Sequence, residues 1–174
     1  FPEFPSAILP ARDGVPFGSI RRSAAAPNCS YFTGWSKRED SISWNVEIVE
    51  AGRFEIVLHY TCPAVDVGST IEVEFLGRRI QAKVAEPFDP PLRGAEHDRV
   101  ARGSESLVKD FRALSMGTIS LPKGRGPLRL RALDIPGRTV MDLRALTVER
   151  IEAKAARSNP SEARPAKTAR TGGE

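Results

Sequence analysis

The sequence predicts an all-β fold, an antiparallel β-sandwich of the jelly-roll type with an extended N-terminal leader and a disordered C-terminal tail. Apolar and polar residues alternate over several short segments, which is the period of a strand with one buried face. Turn residues separate these segments. Pro and Gly supply 14 residues each among the 174, and this content suits short strands joined by turns better than long helices.

The clearest periodicity lies at 40–62, which predicts two strands joined by a short turn. Apolar residues occupy alternate positions in both halves, namely Ile42, Trp44, Val46 and Ile48, then Phe54, Ile56, Leu58 and Tyr60. Gly52 follows Glu50 and Ala51 and can adopt a positive φ angle, so the chain can reverse there. We expect this pair to be the central hairpin of the fold.

The same alternation predicts the remaining strands at 70–75, 80–84, 106–111, 116–121, 128–132 and 140–151. The first two form a second hairpin around Gly77. A turn is expected at 122–127, and a short strand is possible at 19–22. The long irregular stretch at 86–104 includes the charged run EHDRVAR. Loops of such length are usually functional or docked on another surface.

Three regions are expected, a leader at 1–37, a β-sandwich domain at 38–151 and a flexible basic tail at 152–174. The leader carries the apolar residues Phe1, Phe4, Ile8, Leu9 and Phe17. They pack either on this domain or on another domain outside the chain. The opening FPEFP has no Met, which suggests a processed protein or a fragment.

The charge gives weak support to a nucleic-acid partner. The formal net charge is +4, and the tail contributes +2 of it with five Lys or Arg against three Glu. The rest of the chain is therefore nearly balanced. The sequence contains no run of about 18 apolar residues, so a membrane span is not predicted.

Two cysteines, Cys29 and Cys62, are too few for a zinc cluster. In an oxidising compartment they could form a disulfide, which would add about 3–4 kcal/mol by the chain-entropy estimate. The alternative is two buried free thiols. His59 and His97 are the only histidines, and neither has a second ligand at helical spacing, so we predict no transition-metal site and no catalytic base.

An aromatic cluster in the leader is the first candidate binding site. Tyr31, Phe32 and Trp35 lie in a segment without the alternation of a strand, so no pattern predicts that they are buried. Flat aromatic rings stack on the apolar faces of sugars. The alternative is that they plug the end of the sandwich or an interface. Trp44, on the apolar side of its strand, is expected in the core.

Charged residues form the second candidate site. Arg21 and Arg22, together with His97 and Arg99 of the charged run, could bind sulfate or carboxylate groups, since guanidinium groups match such anions bidentately. The alternating signs of the run favour a salt-bridged docking loop instead. No cofactor is predicted. Asp134, Asp142, Glu72 and Glu74 could hold a structural calcium through their oxygen atoms, although their spacing does not specify one.

Several segments together resemble the C-terminal extension of bacterial sulfatases of the arylsulfatase or N-acetylgalactosamine-6-sulfatase type, as found in planctomycete-like bacteria. They are LPARDG at 9–14, RRSAAAPNCSYFTGW at 21–35, SISWNVEIVEAGRFEIVLHYTCPAVDVGS at 41–69, EPFDPPLRGAEHDRVARGSESLVKDF at 86–111 and LRLRALDIPGRTVMDLR at 128–144. The resemblance implies a non-catalytic, carbohydrate-binding-module-like domain that partners a sulfatase catalytic domain in cis, in a secreted or periplasmic protein.

The resemblance does not extend to sulfatase chemistry. Such enzymes carry a Cys or Ser followed by x-Pro-x-Arg, whereas Cys62 is followed directly by Pro63 and the segment lacks the Arg. We therefore expect no reaction from this chain alone. Two functions remain open, recognition of a sulfated or other polysaccharide and a structural role that buttresses the catalytic domain or an oligomer interface.

Overall fold

The computed structural model describes residues 6–25, 30–91 and 110–151 and shows two antiparallel sheets packed face to face. The strands within these ranges are β1 (Ser6–Pro10), β2 (Val15–Phe17), β3 (Arg21–Arg22), β4 (Phe32–Thr33), β5 (Ser41–Ile48), β6 (Gly52–Thr61), β7 (Thr70–Phe75), β8 (Arg78–Lys83), β9 (Arg112–Leu121), β10 (Gly124–Asp134) and β11 (Asp142–Arg150). The prediction of an all-β sandwich is confirmed.

Sheet A has the order β3-β4-β11-β6-β9, with β1 also paired to β11, and sheet B has the order β2-β5-β10-β7-β8. Two 3-10 helices, Ala11–Asp13 and Ala64–Asp66, complete the regular structure of the described ranges. Within those ranges, neither helix is long and apolar enough to cross a bilayer.

The prediction that 40–62 forms a central hairpin is half right. Both strands exist, as β5 and β6, but they belong to different sheets and do not pair with each other. Their apolar rows instead face one another across the core, where Ile42 and Trp44 of β5 and Ile56 and Leu58 of β6 are all buried. Alternation shows which face of a strand is buried, but not which neighbour it pairs with. The second predicted hairpin, β7 and β8, is paired as expected.

The leader is not a segment laid over an already complete sandwich. It contributes strands to both sheets. In sheet A, β1 pairs with β11 from Ser6 opposite Glu149 to Pro10 opposite Ala145. In sheet B, β2 pairs with β5. These pairings use the backbone groups of two otherwise open edges, and Pro10 and Pro16 are tolerated because they lie on edge strands.

Several boundaries also differ from the prediction. The turn expected at 122–127 is shorter, because β10 already begins at Gly124 and the chain crosses there from sheet A to sheet B. Most of the strand expected at 106–111 lies outside the described residues, and β9 begins at Arg112. The basic tail at 152–174 also lies outside them.

A buried carboxylate fastens the leader to the start of β5. Asp40, only 1% exposed, accepts hydrogen bonds from the backbone N–H of Ser19 at 2.8 Å, Lys37 at 2.9 Å and Ser36 at 3.1 Å. The Ser19 hydroxyl also donates to it. Burial alone would raise the pKa of Asp40, but these hydrogen bonds outweigh it and hold the pKa below its usual value.

Candidate functional site

The aromatic cluster predicted in the leader is not an exposed platform. Trp35 and Phe32 are each only 1% exposed and belong to the core between the sheets. Neither ring is free to stack on a sugar, so their proposed role in glycan binding is wrong. They plug the sandwich, because β4 brings Phe32 opposite Leu143 of β11. The alternative considered for these residues is thus the one that the structure supports.

Tyr31 is half-buried beside Phe111, with the ring centroids 5.6 Å apart. Burial and the nearby Asp142 carboxylate raise its pKa. Its ring thus packs against Phe111, whereas Phe32 and Trp35 lie in the core. His97 and Arg99, suggested together with Arg21 and Arg22 for anion binding, lie outside the described residues.

Arg21 and Arg22 lie on the short edge strand β3, and both are exposed. The Arg22 guanidinium donates to the Gly14 carbonyl at 2.8 Å and lies 5.9 Å from the centroid of the Phe32 ring. Arg22 thus holds leader segments together. Whether either arginine binds an anion stays a prediction.

The structure does not support the suggested disulfide at Cys62. This residue is a buried free thiol, and Cys29 lies outside the described residues. Burial, together with the negative charges of Asp66, Asp142 and Asp89, raises the pKa of the Cys62 thiol to about 11. Such a thiol is a poor nucleophile at neutral pH.

The four carboxylates suggested for calcium are not brought together. Glu72 and Glu74 alternate with core residues on β7 of sheet B, whereas Asp142 begins β11 of sheet A and Asp134 ends β10. Among the described residues, no three His, Cys, Asp or Glu side chains are grouped so that they could hold a metal ion.

The outer face of sheet B carries a different set of side chains, arranged in two rows across all five strands. Strand register places the first row as Phe17, Ser41, Arg131, Glu72 and Gln81. The second row consists of Val15, Ser43, Arg129, Glu74 and Arg79. Neighbours within a row are about 5 Å apart at Cβ, so the face presents a continuous band of hydroxyl, guanidinium and carboxylate groups.

A buried carboxylate organises the first row. The Glu72 side chain is 3% exposed, and its Oε1 accepts two hydrogen bonds from Arg131, from Nη2 at 2.8 Å and from Nε at 3.1 Å. Its Oε2 accepts from Gln81 Nε2 at 2.9 Å. Burial would raise the pKa of Glu72, yet these bonds and the charge of Arg131 lower it. The bidentate bond fixes the Arg131 fork in one orientation.

The parts of the two rows on β2, β5 and β10, together with residues 38–40 before β5, line a groove of about 510 Å³. Phe17 and Val15 form one wall and are 66% and 61% exposed. The floor holds Ser41, Ser43, Arg129 and Arg131. The groove thus combines an exposed aromatic ring with several hydrogen-bonding groups on rigid strands, which is the composition of a site for a polar ring-shaped ligand.

Sequence reasoning missed this groove for two reasons. Alternation marks the polar positions of β5, β7 and β10 only as the solvent side of their strands, and it predicts no strand at Phe17. Register decides which residues of different strands share one row. The signals available in the sequence were the alternation of Leu128 and Leu130 with Arg129 and Arg131, and the pair Ser41 and Ser43 at alternate positions of another strand.

The sequence matches no family model and no curated protein. Solved structures match the fold over most of the chain. A family 35 carbohydrate-binding module from Clostridium thermocellum has a TM-score of 0.54 at 13% identity, with 84% of this chain and 98% of that chain covered. The module CBM6cm-2 from Cellvibrio mixtus lichenase 5A, in complex with cellotriose, has a TM-score of 0.53 at 13% identity, with 83% and 97% covered. This is the fold of carbohydrate-binding modules.

Larger proteins contain a similar unit. A GH26-CBM35 β-(1,4)-mannanase from Podospora anserina matches with a TM-score of 0.52 at 10% identity, over 84% of this chain and 28% of the mannanase. The chain therefore spans about a quarter of such an enzyme. The Cry4Aa toxin of Bacillus thuringiensis also matches, with a TM-score of 0.55 at 11% identity, over 84% of this chain and 23% of the toxin. At these identities the module-like fold is shared, and a shared fold does not fix a function.

Proposed function

We propose that this chain is a non-catalytic domain that binds polysaccharide in the groove on the outer face of sheet B. The observation that carries the proposal is the groove itself, in which the exposed Phe17 ring stands beside Ser41, Ser43 and two arginines on adjacent strands. The similarity to carbohydrate-binding modules supports the proposal at the level of the fold.

Each part of the groove has a task in this function. The Phe17 ring stacks on the apolar face of a sugar ring, while the serine hydroxyls and guanidinium groups bond its hydroxyls. Phe17 and Arg131 both flank Ser41 in the register, so their strands are about 10 Å apart, two strand spacings. Because strands hold these groups in place, little side-chain ordering is needed when the ligand binds.

We further propose that the domain is an accessory domain of a secreted or periplasmic sulfatase. The support is the sequence resemblance of 9–14, 21–35, 41–69, 86–111 and 128–144 to sulfatase C-terminal extensions. The domain would keep the catalytic domain close to its polymer and would catalyse no reaction itself. Structural neighbours that are parts of longer enzymes, such as the mannanase, are compatible with this arrangement.

Affinity electrophoresis tests the binding proposal. The whole chain is run through gels with and without neutral, carboxylated and sulfated polysaccharides, at low and high salt. We expect Phe17→Ala to abolish retardation while its unfolding midpoint stays near that of the parent, because the ring is largely exposed. Val65→Ala is the matched control, because Val65 is 82% exposed and lies on a 3-10 helix away from the groove. Equal retardation of parent and Phe17→Ala would exclude this groove as the site.

A second candidate function is buttressing of a neighbouring domain, and the exposed apolar residues of the leader favour it. Ile8 is 68% exposed on β1, and Phe17 is 66% exposed on β2. If no polysaccharide retards the chain, this function becomes the better one. Co-sedimentation with the catalytic domain of the parent protein would then be weakened by Ile8→Ser but not by Val65→Ser.

A further inference from the structure

Arg129 differs from the other arginines on the outer face of sheet B, namely Arg79, Arg125 and Arg131. Arg125 donates to Glu47 at 2.8 Å, Arg79 to Glu74 at 3.1 Å, and Arg131 to Glu72 at 2.8 Å. Each carboxylate of β5 and β7 on this face is thus already bound by an arginine. Arg129 has no such partner among the described residues.

Its position makes this difference relevant to the groove. Arg129 lies between Arg125 and Arg131 on β10 and faces Ser43 of β5 on one side and Glu74 of β7 on the other. Glu74 is held by Arg79 instead. Arg129 lines the groove, whereas Arg125 does not. Of the two floor arginines, Arg129 is therefore the one whose guanidinium is in no ion pair with a described residue, and the exposed Arg38 and Glu39 also line the groove.

We infer that Arg129 binds an anionic substituent, a sulfate ester or a carboxylate, on the polysaccharide held in the groove. This inference rests on the proposed function. A guanidinium fork matches both groups bidentately, and charge-assisted hydrogen bonds are about twice as strong as neutral ones. Arg131 has a different task, because Glu72 already occupies its fork. The Ser43 hydroxyl, directly opposite Arg129 in the register, is placed to bond the same substituent.

The test compares matched polymers. Binding is measured by affinity electrophoresis and by isothermal titration with neutral, carboxymethylated and sulfated forms of three backbones, a glucan, a galactan and a mannan. We expect the parent chain to bind at least one charged form about tenfold more tightly than the neutral form of the same backbone. The preference should persist in part at about 0.5 M salt, where diffuse attraction between exposed charges is screened. The carboxymethyl and sulfate arms identify which anion is preferred.

Three variants test whether the preference for the charged polymer comes from Arg129. Arg129→Gln should remove the preference, so that the charged and neutral forms of one backbone bind about equally. Arg129→Lys should restore part of it, because it keeps the charge but loses the fork. The control is Arg125→Gln, which removes an equal charge from the same strand outside the groove. It should leave the preference intact.

The outcomes separate this inference from the proposed function. Equal binding of neutral and charged forms by the parent would overturn the inference and leave polysaccharide binding standing. An equal loss in Arg129→Gln and Arg125→Gln would show diffuse electrostatics and would also overturn it. If no form of any backbone is bound, the proposed function fails and the inference fails with it.

Discussion

Gly18 lies directly against the carboxylate of Asp40, because a Cβ atom on residue 18 would be 2.1 Å from Asp40 Oδ1. The φ angle of Gly18 is also positive, at 85°. Only a residue without a side chain fits here. The contact lets Asp40 reach the backbone of the leader, and so determines where β2 and Phe17 are placed.

Gly18→Ala should therefore destabilise the domain by about 3 kcal/mol, from backbone strain and from loss of hydrogen bonds to Asp40. Gly77→Ala is the matched control. Its φ angle is 81°, but nothing lies within 4 Å of the added methyl group, so only the strain of about 1–2 kcal/mol should appear. Urea unfolding measures both. Equal losses in the two variants would contradict the contact between Gly18 and Asp40.

Acid should weaken the domain partly through Asp40. Its pKa is lowered in the folded state relative to the usual 3.8, so its contribution to stability is complete above that value and is lost as the pH falls through the lower, folded-state pKa. The difference in free energy of unfolding between the parent and Asp40→Asn should thus shrink from pH 6 to pH 2.5. Chemical denaturation at a series of pH values measures it. A difference that does not change with pH would contradict this assignment.

Trp35→Ala should destabilise the domain by about 3–5 kcal/mol, because it leaves a large cavity in the core. Trp35→Phe should cost much less. It keeps an aromatic ring in the core, and it removes the indole N–H, which is buried without a hydrogen-bond partner in the described structure. Thermal and urea unfolding compare the two variants. If Trp35→Ala instead folds normally and loses only polysaccharide binding, the burial of this ring is wrong.

The thiol of Cys62 should be free and slow to react. Without reductant, the denatured chain should titrate two thiols with a chromogenic disulfide reagent, whereas a Cys29–Cys62 disulfide would give none. In the Cys29→Ser variant, the folded chain should be labelled much more slowly than the denatured chain at pH 7, because the residue is buried and its pKa is raised to about 11. Raising the pH towards 10 should speed the labelling.

Sequence alone was sufficient for the fold class and for most of the strands, because alternation at residues such as Ile42, Ile56 and Leu128 directly reflects burial of one face. It could not reveal that β5 and β6 belong to different sheets. A short turn is compatible with a hairpin and with a crossing between sheets. The choice between the two depends on how both apolar rows pack into one core.

The candidate site was less predictable than the fold. No periodicity surrounds Phe32 and Trp35, so the sequence does not predict their burial, yet Phe32 on β4 and Trp35 after it both lie in the core. Phe17 is an apolar residue of the leader, so the sequence predicts that it packs on this domain or on another one. A row such as Phe17, Ser41 and Arg131 forms only when the register of three strands is fixed, and single-sequence patterns contain little information about register.

The pairing of β1 with β11 brings the two ends of the described domain side by side. Ser6 lies opposite Glu149, and Ile151 N donates to Arg53 O at 3.1 Å. Both ends therefore emerge beside the turn that joins β5 to β6, whereas Ser41 and Arg131 lie at the other end of β5. The domain can thus be inserted as a cassette into a surface loop of a host protein, or circularly permuted with a short linker, while its groove points away from the junction.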